Sequence, residues 1–241
     1  MSDTTTFQHQ VTKLLQAATQ HHQAGELEQA KTLYHQVLTK QPDQADALHQ
    51  LGFLYHQTGQ NDQAQDLIQR ATCCNPDNPA FYLSLGVVLK ESNRLDEAIN
   101  CYKQALKLKP DTAEIYNNIG NAYLAQDKLS EAVASFTKAS ALKPGSFEIC
   151  LNMGGALKNC GQLNESIKRF EEATRLNPRS LEAVSDLLLT MNYTLDYSGE
   201  ELFERHLDFA RRHAEPLAHY IQPHANSRDA ERRLRIGYVS P

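Results

Sequence analysis

No tryptophan occurs in the 241 residues, and aromatic residues make up only 7% of them. A single thick core built around large rings is therefore not expected. Long apolar runs are missing too: none approaches the roughly 20 residues needed to cross a bilayer, so no membrane partner is expected. The opening MSDTTTFQHQ has neither the basic nor the apolar segment of a signal peptide, and the expected location is the cytoplasm. Positive charge is scarce, because 24 Lys plus Arg stand against 29 Asp plus Glu for a net charge of -5. That balance provides no field to gather nucleic acid. The five cysteines, at 73, 74, 101, 150 and 160, form no CxxC pair and no even set, and read as free thiols in a reducing compartment. Catalytic signatures are absent as well: there is no GxSxG, no phosphate-binding glycine loop and no HExxH. Among ten histidines, His22, His49 and His56 invite a metal reading. No carboxylate or thiol stands at matched spacing, so surface histidines are expected and no metal ligand is assigned.

What is present is a period. Prolines stand at 42, 76, 110, 144 and 178, each 34 residues after the last. With proline as position 32, five repeats cover 11–44, 45–78, 79–112, 113–146 and 147–180. Position 8 is Ala18, Gly52, Gly86, Gly120 and Gly154; position 20 is Ala30, Ala64, Ala98, Ala132 and Ser166. Position 24 is bulky (Tyr34, Ile68, Tyr102, Phe136, Phe170), and position 27 is small (Val37, Ala71, Ala105, Ala139, Ala173). Glycine inside an exposed helix costs about 1 kcal/mol relative to alanine, so four at one phase imply a close helix–helix approach. The pattern resembles the tetratricopeptide repeat, a 34-residue helix–turn–helix unit that stacks on its neighbours. The implied fold class is all-α: a right-handed α-solenoid with stability close to a nearest-neighbour sum. In each first helix, positions 4, 7, 8 and 11 are read as the buried stripe, with 2, 6, 9 and 13 on the far side. Asp43, Asp77 and Asp111 are the expected N-caps of the following helices, and residues 1–10 a frayed lead-in. Gly155, beside Gly154 within a helix, has no packing reason in the sequence.

Beyond the repeats, 181–193 reads as a closing helix with Val184, Leu187, Leu188 and Met191 turned inward. Residues 194–233 read as a helical spacer and linker, opening with a capping-box sequence at Ser198–Glu201. The last segment, Leu234-Arg235-Ile236-Gly237-Tyr238-Val239-Ser240, alternates like a strand that has no partner. Behind a tetratricopeptide array it resembles the start of the glycosyltransferase domain in bacterial members of the protein O-linked N-acetylglucosamine transferase family. The resemblance implies that residues 234–241 are the first strand of a catalytic domain missing from this chain. It also implies UDP-GlcNAc as donor of the full-length family, no cofactor in this chain, and no transfer by the chain alone.

In that family, asparagines at position 6 of the first helices line a concave face and hold protein substrates. Here position 6 is Gln16, Gln50, Ser84, Asn118, Asn152 and, in the closing helix, Asp186. Only Asn118 and Asn152 match the family residue. An amide both donates and accepts, which suits it to a peptide backbone irrespective of side chains. Asn121 and Asn159 on the same face join the candidate set, as do Phe53 and Val87 at position 9, apolar where solvent is expected. A second reading makes the polar members ordinary wetted residues and packs Phe53 and Val87 on the adjoining helix. A clamp for a C-terminal carboxylate would need basic residues where Glu114, Asn117, Glu148 and Leu151 stand. The expected partners are thus protein or peptide segments, with homo-oligomerisation left open. Two functions follow: the substrate-recruiting arm of an O-GlcNAc transferase-like enzyme, or a free-standing protein–protein adaptor.

Overall fold

The structure, a computed structural model, describes residues 2–220, and the chain divides into two compact parts, Met1–Asp196 and Tyr197–Pro241. The first part is a run of helix pairs: α1 (Ser2–Gln23) with α2 (Leu27–Lys40), α3 (Ala45–Gln57) with α4 (Asn61–Cys74), α5 (Pro79–Glu91) with α6 (Leu95–Leu108), α7 (Ala113–Ala125) with α8 (Leu129–Leu142), and α9 (Phe147–Asn159) with α10 (Leu163–Leu176). A single helix, α11 (Leu181–Met191), closes it. The architecture is an all-α tetratricopeptide solenoid. No strand occurs among the described residues, and the strand expected at 234–241 lies outside them.

Two backbone devices make each repeat. Between its helices, position 15 is Gly25, Gly59, Asn93, Asp127 and Gly161, every one with φ between 58 and 77°. Glycine enters this left-handed region without penalty, and Asn and Asp tolerate it better than other residues. Between repeats, proline at 32 stops the second helix, and position 34 caps the next first helix. Oε1 of Gln44 accepts from the Ala47 amide at 2.6 Å, Oδ1 of Asn78 from the Ala80 amide at 3.0 Å, and Oγ of Ser180 from the Ala183 amide at 3.2 Å. The cap expected at Asp43, Asp77 and Asp111 is one residue early, and Asp111 instead turns the chain with φ 56°. The lead-in differs as well: residues 2–10 belong to α1, and Val11 within it is buried.

Packing explains the small residues. A β-carbon on Gly52, Gly120 or Gly154 would lie 2.6 Å from Ile68, Phe136 or Phe170 respectively. One on Gly86 would collide with the Tyr102 ring. Each position 8 glycine thus receives the position 24 side chain of its own repeat. Ala30, Ala64, Ala98, Ala132 and Ser166 are fully buried at position 20, as are Val37, Ala71, Ala105, Ala139 and Ala173 at position 27. Serine fits at 166 because its hydroxyl donates to the Gly154 carbonyl at 2.7 Å.

The buried stripe of the first helices is wider than the sequence reading. From the second repeat onward, positions 3 and 10 are buried throughout (Ala47, Phe81, Ile115, Ile149 and Ala183; Leu54, Val88, Ala122, Ala156 and Thr190). Tyr82, Tyr116, Tyr123 and Val184, at positions 4 and 11, are only half-buried. The reason is that α3, α5, α7 and α9 each pack on their own second helix, on the second helix before them and on the first helices to either side, and α11 packs on α10 and α9. In α11, Leu187, Leu188 and Met191 are buried.

In the second compact part, α12 (Gly199–Phe209) opens on the capping box read from the sequence. The Ser198 hydroxyl accepts from the Glu201 amide at 3.2 Å, and the Glu201 carboxylate accepts from the Ser198 amide at 2.8 Å. A π turn, Ala210–Ala214, and a 3-10 segment, Glu215–Tyr220, follow.

Candidate protein-binding face

The side of the first helices turned away from their second helices is organised by hydrogen bonds that join one repeat to the next. Position 5 reaches position 6 of the following repeat twice. Nε2 of His49 is hydrogen-bonded to the Ser84 hydroxyl at 2.8 Å, and Nδ2 of Asn152 donates to Oδ1 of Asn117 at 3.1 Å. Position 5 also reaches position 2, where Nδ2 of Asn117 donates to Glu148 at 2.8 Å. Position 12 reaches position 13: Nε2 of His22 donates to Oε1 of Gln57 at 2.9 Å, and His56 lies 3.4 Å from the Glu91 carboxylate. Further along, the Lys158 ammonium donates to Asp186 at 2.7 Å. These bonds hold neighbouring first helices in one register and leave a groove between them.

At its N-terminal end the groove is a cleft of about 590 Å³ lined by Leu15, Gln16, Thr19, Gln20, Asp46 and Gln50. Gln50 is thus among the residues that line this cleft. Asn118 and Asn121 are half-buried, and neither amide makes a side-chain hydrogen bond within the described residues. Both are available to a partner. Asn159 is exposed. Ser84 and Asn152 are already engaged, as above; Asn152 keeps its carbonyl oxygen and one amide N–H for an outside group. Val87 packs against the core. Phe53 is 38% exposed and stands between the rings of His22 and His56, with centroids 6.0 and 6.2 Å away. Its ring is thus flanked by two imidazoles.

Asn117 was missed as a site residue. It is 3% exposed, and its amide links Glu148 to Asn152, making it the buried hub of a three-residue network. A signal was available: polar residues at position 5 (His49, Asn117) are followed 35 residues later by polar residues at position 6 (Ser84, Asn152).

The histidines on this face serve the same register. Burial pushes the His49 pKa below its ordinary value, against the opposing pull of Asp46, and its ring lies 4.8 Å from that of Phe81. No group of three or more His, Cys, Asp or Glu positioned for a metal occurs among the described residues. Burial raises the thiols of Cys101 and Cys150 to about 11, so neither is a thiolate nucleophile near neutral pH. No helix among the described residues is long and apolar enough to cross a membrane.

Stacked helix pairs with a polar, cleft-bearing face define a tetratricopeptide-repeat protein. A family model, the tetratricopeptide-containing C-terminal domain of cilia and flagella-associated protein 70, matches residues 3–187, and the chain belongs to that family. No curated protein matches the sequence. Solved structures share the fold. PilF of Pseudomonas aeruginosa is 18% identical with a TM-score of 0.73, covering 89% of this chain and 96% of its own. MamA is 22% identical with a TM-score of 0.62, covering 67% and 95%. YrrB, described as a tetratricopeptide protein with an unusual peptide-binding site, is 19% identical with a TM-score of 0.62, covering 74% and 96%. These likenesses support the repeat reading and lend nothing to descent from an O-GlcNAc transferase; the segment that suggested it, 234–240, lies outside the described residues.

Proposed function

We propose that this chain is a protein–protein interaction scaffold that holds an extended peptide segment of a partner against the concave side of its first helices. The observation that carries this reading is the pair of half-buried amides, Asn118 and Asn121, left without side-chain hydrogen bonds among the described residues on a face where Asn117, Asn152, His49 and Ser84 each take part in a hydrogen bond between repeats. Half-buried amides with no internal bond suit a peptide backbone, which offers a donor and an acceptor at every residue. The peptide-binding description of YrrB is consistent with such a use of the fold.

The test is selection of peptides from a displayed library on the whole chain, followed by calorimetry with the best binder. Asn118→Ala with Asn121→Ala should weaken binding at least tenfold and leave the melting temperature nearly unchanged. Unaltered affinity removes these amides from the site, and a library that yields no binder removes the function. Asn152→Ala makes a poorer probe, since it strips a bond from buried Asn117.

A second reading rests on the segment Leu234–Ser240 alone: the array recruits substrates for an O-GlcNAc transferase-like enzyme using UDP-GlcNAc. It is tested by reading the coding frame past Pro241. An Asp-Phe pair and a histidine followed by several hundred coding residues would support it, and unrelated sequence would leave the scaffold.

A further inference from the structure

Position 2 of the first helices carries charge of one sign wherever it is charged: Asp46, Glu114, Glu148 and Glu182, with Thr12 and Ala80 at the other two. All four carboxylates are exposed. None is in an ion pair among the described residues; Glu148 has only the neutral amide of Asn117, and His49, which Asp46 influences, is kept neutral by burial. The opposite edge differs, because Lys158 is matched by Asp186 and His56 faces Glu91. The face therefore presents a row of uncompensated negative charge along one wall of the groove. Asp46 marks where that row lies, since it lines the cleft together with Gln16 and Gln50.

A second observation comes from Gly155. The four glycines at position 8 each have a side chain within 3 Å of where a β-carbon would sit, but a β-carbon on Gly155 would meet nothing within 4 Å. Packing accounts for the former and not for the latter, although a glycine within a helix costs about 1 kcal/mol relative to alanine. Gly155 stands at position 9, where Phe53, Val87 and Asn121 stand in earlier repeats. It leaves a notch between Asn152 and Asn159 of the same helix, two turns from Glu148. Glu182 of α11 is the positional counterpart of Asp46, which lines the cleft with Gln16 and Thr19 at the positions that Asn152 and Gly155 hold in the fifth repeat.

Resting on the reading of this face as a peptide site, we propose that its occupant is an extended segment rich in Lys or Arg. Its cationic groups meet the row Glu114, Glu148 and Glu182, and one of its side-chain stems lies in the notch over Gly155. The spacing is compatible: packed helix axes are about 8–10 Å apart, and an extended chain rises about 3.3 Å per residue, so a cation at every third residue meets one carboxylate per repeat. The long apolar stem of Lys or Arg fills a notch while its head reaches a carboxylate beyond it.

The experiment uses the whole chain and two fluorescein-labelled ten-residue peptides, one with Lys and one with Glu at every third position and Leu or Ser between. The Lys peptide should bind at least tenfold more tightly than the Glu peptide, and its affinity should fall steadily between 50 mM and 500 mM salt, roughly as screening of exposed charges requires. The triple variant Glu114→Gln, Glu148→Gln, Glu182→Gln keeps an acceptor for Asn117 and should lose at least tenfold in affinity with unchanged circular dichroism. Gly155→Ala should raise the melting temperature yet weaken the Lys peptide at least threefold, a combination that a merely structural glycine does not produce. Equal binding of the two peptides, full affinity of the triple variant, or full affinity of Gly155→Ala overturns the proposal. If library-selected neutral or acidic peptides bind and depend on Asn118 and Asn121, the charge preference fails while the scaffold reading stands. If nothing binds, both fall.

Discussion

At the scale of single residues, the tightest fit in the array is a ring pressed on a glycine. Because a β-carbon on Gly120 would come within 2.6 Å of the Phe136 ring, Gly120→Leu should destabilise the chain by about 1–3 kcal/mol or more, read as a lower urea midpoint at an unchanged slope. The reverse is expected at Tyr102, whose ring fills the same place against Gly86 while its buried hydroxyl has no hydrogen-bond partner. Tyr102→Phe removes a desolvated polar atom, copies Phe136 and Phe170, and should stabilise by about 1 kcal/mol. His49 predicts a pH effect. Its folded-state pKa lies below the ordinary 6.5, so as pH falls through 6.5 the unfolded chain takes up the proton first and stability drops. Above that pH the group contributes no slope. Melting curves between pH 7.5 and 5 should show a loss that His49→Gln reduces. The small-against-large pairing at 8 and 24 was legible in the sequence, because only contact between helices justifies a repeated helical glycine. Asn117 was legible only through its pairing: a buried asparagine and a wetted one are the same letter, and the polar residue 35 positions on is the one hint of the contacts that the structure shows.

At the scale of the helix, the ends are specified by three positions and not by proline alone. Position 15 turns the chain with positive φ in all five repeats, and Gly59→Ala should cost about 1 kcal/mol there. Asn93→Gly at the same place should be tolerated. Ser180→Ala removes the cap of α11 and should cost about 1 kcal/mol, seen as faster amide exchange in the first turn of that helix. The sequence reading put the caps at Asp43, Asp77 and Asp111 because aspartate caps well. The structure uses the next residue, since proline and the following residue are both needed to carry the chain across to the next helix. Such one-residue choices depend on φ and ψ, which composition does not reveal. The widened stripe at positions 3 and 10 escaped for a related reason: a single-helix periodicity shows one packed face, whereas α3, α5, α7 and α9 are each packed against four others.

At the scale of the whole molecule, a 34-residue period dictated the array and its order, and what it left open is what the array holds. Periodicity reports contacts a repeat makes with its neighbours; the residues proposed to meet a partner, such as Asn118 and Gly155, depart from the repeat pattern or lie off its packed positions. If stability is a nearest-neighbour sum, deleting residues 79–112 as one complete repeat should leave a helical, cooperatively melting protein, its melting temperature lower by only a few degrees. Deleting 79–95 should unfold it.

Each substantial contact between helices of the array joins partners no more than two elements apart in sequence. Such a chain behaves mechanically as a stack of equal springs. Pulled from its two ends, it should surrender its repeats one after another. Each event should release a length close to 34 residues of extended polypeptide, about 110–120 Å, and on relaxation the stack should rebuild from whichever pair remains closed.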